Sequence, residues 1–155
     1  MQAETAPPFH SRLGIAIAMR AYQAYRDLLA SHRWGLLAAA GARPQRLLWA
    51  STGTKDSKAP DTLYITALAA ANTINTIPEK TLLAFADHGS VGVTLPAAGG
   101  HAEAELEAFK AEGVDIEALA ERLQREGVEA FAESWRALLS RISEKSSPQK
   151  VARPS

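Results

Sequence analysis

Apolar residues recur at intervals of three and four along the first part of the chain. From Ser11 to Ala30 they are Ile17, Ala21, Tyr25 and Leu28, while Arg20, Gln23, Arg26 and Asp27 take the other side. That spacing, without a proline, predicts an amphipathic helix. A shorter helical stretch from His32 to Ala40 is expected to stop at Gly41, and Pro44 blocks its continuation. The pattern then changes. Arg46-Leu-Leu-Trp-Ala50 is a short apolar run between a proline and a polar cluster, as a buried parallel strand is. Ser51 to Pro60 is loop-like. Asp61 is suited to cap a helix over 62–70. Thr73-Ile-Asn-Thr-Ile77 is rich in β-branched residues and predicts a second strand. Pro78 suits the first position of a helix that runs through Leu82, Leu83 and Phe85 to Gly89.

Strand, loop, helix, strand, helix is a βαβ unit followed by a second helix, and such units build parallel sheets. Val91 to Leu95 is read as a connector, because of Gly92 and the following Pro-Ala-Ala-Gly-Gly. The remainder is helical. Leu106 and Phe109 mark one segment, Ile116, Leu119 and Leu123 another, with Gly113 and Gly127 as separators. Val128, Phe131, Trp135, Leu138 and Ile142 form a stripe on the last helix, expected to dock on its own domain. Residues 1–10 read as a disordered leader and 147–155 as a disordered tail.

The chain has 155 residues, 46% of them apolar and 22% charged, enough for one ordinary domain. Lys plus Arg is 17 and Asp plus Glu is 17, which argues against a basic nucleic-acid binder. The balance conceals an asymmetry. Residues 1–60 carry eight bases and three acids, and residues 101–135 carry ten acids and three bases. The first region suits an anion and the second reads as a solvated helical surface. There is no cysteine, which removes disulfides, thiolate metal sites and cysteine nucleophiles and fits a reducing cytoplasm. No apolar run approaches the roughly 20 residues of a membrane span, and the N-terminus has no secretory signal pattern.

In parallel α/β sheets ligands bind beyond the carboxyl ends of the strands. Ser51-Thr52-Gly53-Thr54-Lys55 falls there. Its hydroxyls, a glycine that permits close backbone approach and one ammonium suit a phosphate oxyanion, although a plain polar turn has the same composition. The spacing is not that of a Walker A loop. Asn75-Thr76 occupies the same end and reads as a helix entry before Pro78. His88 beside Asp87 reads as a histidine favoured at a helix C-terminus. His10, His32, His88 and His101 have no i, i+4 partner, so no metal site is read. No cofactor motif and no nucleophile–base–acid set is found.

Several segments together resemble the C-terminal part of bacterial transaldolases. They are Leu48-Trp-Ala-Ser-Thr-Gly-Thr-Lys55, Asp61-Thr-Leu-Tyr64, Asn75-Thr76 with Pro78-Glu79, and Thr81-Leu82 leading to Phe85-Ala-Asp-His-Gly89. Ala21-Tyr-Gln23 and Gly127-Val-Glu-Ala-Phe-Ala132 match the flanking helices, so the resemblance runs from about Ser11 to Glu144. It implies a (β/α)8 TIM barrel of the pentose phosphate pathway, of which residues 11–146 are the last βα units. It implies transfer of a dihydroxyacetone unit between sugar phosphates through a Schiff base on a lysine. The family's lysine lies in a strand ending Lys-Ile-Pro-Ala-Thr, which this sequence does not contain. No catalytic residue carries over. Ser51 and Lys55 carry over as phosphate contacts, with Thr52 and Gly53 shaping the loop. After Lys55 the family commonly has Asn-Pro, where this chain has Asp56-Ser57, and a carboxylate there weakens anion binding. Ile65-Thr66-Ala67-Leu68 and Ile17 are further departures.

Three functional expectations follow. The chain is a transaldolase portion that is inactive alone, or one subunit of a split enzyme whose partner supplies the N-terminal half, or a non-catalytic sugar-phosphate-binding or structural module. Two parallel strands with open edges also predict marginal stability or self-association.

Overall fold

The computed structural model describes residues 11–146; the leader expected over 1–10 and the tail expected over 147–155 lie outside the described residues. Contacts divide the chain into two compact units, Met1–Glu112 and Gly113–Ser155.

The first unit begins with α1 (Arg12–Ala30), which buries Ala16, Met19 and Tyr22 along one stripe, not the expected face: Ile17, Ala21 and Leu28 are exposed and Tyr25 is half-buried, because the side that meets α5 is the one carrying Ala16 and Met19. Its principal partner is α5 (Ala102–Ala111), whose Ala102, Leu106 and Phe109 are all buried. Arg20 makes a two-pronged contact with Glu103 at 2.7 and 2.8 Å, and Arg12 pairs with Glu105. Part of the charge asymmetry therefore closes inside the fold, with bases of α1 meeting acids of α5. Opposite charges across a helix pair select their register more than they add stability. A short α2 (His32–Ala39) follows, capped by the Ser31 hydroxyl, which accepts from the Trp34 amide at 3.2 Å. The turn after it passes through Gly41 at φ 91°.

Two parallel strands lie between these helices. β1 (Leu47–Trp49) pairs with β2 (Thr73–Asn75), Leu47 opposite Thr73 and Trp49 opposite Asn75. The pair is connected by α3 (Leu63–Ala67) and followed by α4 (Glu79–His88), the expected order. Pro78 is the N-cap of α4 rather than its first residue, and Gly89 ends it. Residues 91–95 form a connector without strand. Met19, Tyr22, Trp49, Leu68, Leu95 and Ala102 make the core on one face of the sheet. The other face is open: Leu48 is 47% and Ile74 41% exposed.

The helix expected over 62–70 spans only Leu63–Ala67. Thr62, not Asp61, occupies its N-cap, without a side-chain cap bond, and the Asp61 carboxylate is engaged by His88. Its far end is drawn off as well: the Ala69 carbonyl accepts from the Leu95 amide at 2.8 Å, and Asn72 turns the chain into β2 at φ 61°. Asparagine is among the few residues that tolerate that left-handed turn.

The second unit holds one described element, α6 (Ile116–Ser146), 31 residues long. Gly127 does not separate two helices as expected; it lies inside one. A single glycine costs a helix about 1 kcal/mol, which an otherwise favourable run with no proline absorbs. The apolar stripe, not the backbone, changes at this point. Leu123 to Val128 is a five-residue step, and at about 100° per residue the stripe moves round the helix by roughly 140°. Val128, Phe131, Trp135 and Ile142 are 70%, 82%, 60% and 54% exposed, so the expectation of a covered stripe is not met. Among the described residues its own unit has no second element to cover it. Among the described residues no helix is long and apolar enough to cross a membrane.

Candidate functional site

The carboxyl ends of β1 and β2 lie side by side, and the chain leaving β1 is tied to the chain leaving β2. Thr76 donates its amide to the Trp49 carbonyl at 2.9 Å, and its hydroxyl donates to the same oxygen at 3.1 Å. The same Thr76 hydroxyl oxygen accepts from the Ser51 amide at 3.0 Å. One residue further on, the buried Thr52 hydroxyl donates to Asn75 Oδ1 at 2.7 Å. Four hydrogen bonds among five residues thus fasten the turn across the two strand tips.

This fastening settles where each predicted residue stands. Ser51 is exposed and held at φ 54°, a left-handed conformation that a serine adopts only when its surroundings impose it. The side chain of Thr52 points inward and shapes the turn. Gly53 backs onto the start of α4: a Cβ there would lie 3.1 Å from Pro78 Cγ and 3.4 Å from the Thr81 hydroxyl. Thr54 donates to the Asp61 carbonyl at 3.3 Å, and Lys55 is exposed. Ser51 and Lys55 therefore face solvent at the strand tips, while Thr52 and Gly53 hold the loop down. Asp56 folds back on its own loop, its carboxylate accepting from the Lys58 amide at 2.9 Å.

Asn75 has more weight than a helix entry. As the acceptor for Thr52 it holds the second strand to the first. His88 does lie in the last turn of α4, as its sequence position suggested, but it also has a partner that no local pattern shows. Its Nε2 lies 2.9 Å from Asp61 Oδ1 and its Nδ1 3.2 Å from Asp87 Oδ2. The Asp61 hydrogen bond is the main reason the imidazole is pushed above its ordinary value, with Asp87 adding to it. The same bond holds the Asp61 carboxyl below its usual range. All three side chains are solvent-exposed, so the cluster anchors the far end of the 51–61 loop to α4 rather than forming an enclosed centre. Beside β2 lies a cavity of about 390 Å³, with Trp49, Leu68, Thr73, Asn75, Ile77 and Thr94 in its lining. Among the described residues no group of three or more histidine, aspartate or glutamate side chains converges as metal ligands do.

The Transaldolase/Fructose-6-phosphate aldolase family profile matches residues 1–142. The transaldolase of Thermobifida fusca is 46% identical over 142 residues, which is 91% of this chain and 39% of that protein. The Frankia alni transaldolase is 47% identical over 140 residues, 90% of this chain and 38% of the relative. That of Neisseria meningitidis serogroup A is 43% identical over 129 residues, 83% of this chain and 37% of the relative. The chain thus spans under two-fifths of the length of these relatives. It belongs to the transaldolase/fructose-6-phosphate aldolase family, and its two parallel strands are part of that family's α/β barrel.

Proposed function

We propose that this chain is the phosphate-binding side of a transaldolase barrel and that the Schiff-base amine comes from polypeptide beyond these residues. The observation that carries the reading is the Thr52–Asn75 bond at 2.7 Å, which pins the Ser51–Lys55 turn over the carboxyl ends of two parallel strands. That is where barrel enzymes place substrate. Ser51 and Lys55 contact the phosphate of a ketose phosphate such as fructose 6-phosphate, Thr52 and Gly53 fix the loop, and Asn75 fixes Thr52. A lysine that condenses with a carbonyl has to be desolvated on a barrel strand. Neither β1 nor β2 carries one: Lys55 and Lys58 are in the loop, and Lys80, Lys110 and Lys145 are on helices. The open face at Leu48 and Ile74 and the unpaired outer edges of both strands are the surfaces against which further barrel strands, from an N-terminal half, would pack. The absence of cysteine suits a cytoplasmic setting.

Two measurements on the 155-residue chain test this. Fructose 6-phosphate with borohydride should leave the mass of the isolated chain unchanged, and a reduced adduct on any of its lysines refutes the reading. Mixing with the non-overlapping N-terminal part of the Thermobifida fusca relative should generate transaldolase activity, with the borohydride adduct confined to the added part. Lys55→Ala should weaken fructose 6-phosphate binding in that mixture at least tenfold. A chain that neither binds nor complements is a structural module, and the proposal fails.

A further inference from the structure

The candidate phosphate loop is pinched at its base. The Thr54 hydroxyl donates to the Asp61 carbonyl at 3.3 Å, so residues 55–60 leave and return at one point. Within that excursion the chain closes on itself. The Asp56 carboxylate accepts from the Lys58 amide at 2.9 Å, and the Asp56 carbonyl accepts from the Ala59 amide at 3.2 Å. Lys55 is the first residue beyond the pinch, so whatever holds Asp61 also holds the body that carries Lys55. Asp61 is held by His88, whose Nε2 lies 2.9 Å from Asp61 Oδ1 while its Nδ1 lies 3.2 Å from Asp87 Oδ2. Both ring nitrogens thus face carboxylate oxygens. An imidazolium donates to both, whereas a neutral imidazole donates to one and sets a lone pair against the other.

We infer that His88 is a positioning residue: as an imidazolium it clamps the base of the loop to α4 and sets Lys55 for the phosphate, and loss of its proton frees the loop and weakens sugar-phosphate binding. This rests on the reading of Ser51–Lys55 as the phosphate loop. Asp61 and Asp87 are the charged groups that act on the ring, and both push its pKa above the ordinary value. The other charges of the two elements, Lys55, Asp56 and Lys58 on the loop and Glu79 and Lys80 on α4, do not. The clamp is therefore complete below about pH 6.5 and opens as pH rises through the raised value. Asp87 is what makes the opening possible. Next to His88 in sequence, it competes with Asp61 for the one N–H that a neutral ring retains. An exposed pair of this kind contributes little to global stability, so it can release a loop without unfolding the chain. The near end of the loop is fixed separately by the Thr52–Asn75 bond, so opening displaces Lys55 and leaves Ser51 in place.

Two readouts test the clamp. The chain contains no cysteine, so a spin label on Ser57→Cys, an exposed position inside the excursion, reports on the loop in the isolated 155-residue chain. The label should be restrained at about pH 6 and mobile at about pH 9, and in His88→Ala it should be mobile at both. Fructose 6-phosphate binding is then measured in the mixture with the N-terminal part of the Thermobifida fusca relative. The phosphate itself titrates near pH 6, so the quantity read is the ratio of Kd values, variant over parent, from which that titration cancels. For His88→Ala the ratio should be about three at pH 6 and close to one at about pH 9. Asp61→Ala should behave in the same way, and the double variant should bind no more weakly than either single one. A label indifferent to pH or to His88, a ratio that does not change with pH, or additive losses in the double variant each overturns the inference. Lys55→Ala separates that failure from failure of the phosphate-loop reading. If it weakens binding while His88→Ala has no effect at either pH, the loop binds phosphate without a clamp and the inference alone falls. If the parent mixture does not bind fructose 6-phosphate, both fall.

Discussion

Replacing Thr52 by valine tests the geometry of the site directly. Valine keeps the size and β-branching of threonine and removes one hydroxyl. In the folded chain that hydroxyl is buried and donates to Asn75 Oδ1 at 2.7 Å, joining two strand tips 23 positions apart in sequence. The net worth of such a bond is about 0.5–1.5 kcal/mol, and an acceptor left without a donor costs about 1–3 kcal/mol when buried. Asn75 is only half-buried, so water recovers part of its bonding and the loss falls at about 1–2 kcal/mol. In a unit of this size that lowers Tm by roughly 5–10 °C. Urea unfolding gives the value, with an unchanged slope as the sign that the denatured state is unaffected. Thr52→Ser keeps the hydroxyl and should retain most of the stability. A cycle with Asn75→Ala should give a coupling of about 1 kcal/mol, as expected for groups in direct contact. If Thr52→Val were as stable as the parent, or the cycle showed no coupling, the two strand tips would not be held by this bond. The candidate phosphate loop would then lose its anchor.

Two further predictions concern other contacts. His88 is raised above its ordinary 6.5, so its contribution is complete below that value and fades as pH rises through the folded pKa; Asp61 is held below 3.8, so its contribution is complete above that value and fades as pH falls through its folded pKa. The pair should therefore stabilise most between about pH 4 and 6.5, and His88→Ala should flatten the pH dependence of unfolding across that window. An NMR titration in which Asp61→Asn left the His88 midpoint unmoved would refute the assignment. Gly99 has φ 72°, and a Cβ there would lie 2.6 Å from Gln23 Oε1 and 3.1 Å from Gln23 Cβ, whereas Gly41 has φ 91° with open space around it. Alanine at either position carries about 1–2 kcal/mol of left-handed strain. Gly99→Ala should be the more destabilising, because the side chain of Gln23 must also move, and equal melting temperatures for the two variants would contradict that.

What could be read from the sequence was whatever depends on near neighbours. The apolar run at 47–49, the β-branched run at 73–75 and the three-and-four spacing of α1 and α5 all produce elements where they predict them, although in α1 the spacing of Ile17, Ala21, Tyr25 and Leu28 marks the wrong face. The polar turn that follows β1 was identifiable as the candidate site for the same reason. The fastenings of that turn were not, because they join residues 23 to 27 positions apart: Thr52 to Asn75, Ser51 to Thr76, Thr76 to Trp49, and Asp61 to a helix end at His88. Asp61 shows the limit plainly. Its local position suits a helix cap, but an imidazole brought in by the fold takes its carboxylate, and Thr62 stands at the N-cap of α3 instead. Gly127 shows the reverse error. A change in the phase of a stripe looks like a break when the only signal is periodicity, although the backbone continues through it.

The change of phase at Gly127 makes α6 a rod with two addresses. The first turns present Ile116, Leu119 and Leu123 in one direction, and the later turns present Phe131 and Trp135 in another. No flat surface can receive both, so the two ends of the rod answer to different neighbours. Adding or deleting residues in the middle of the rod would rotate one address relative to the other without unwinding it.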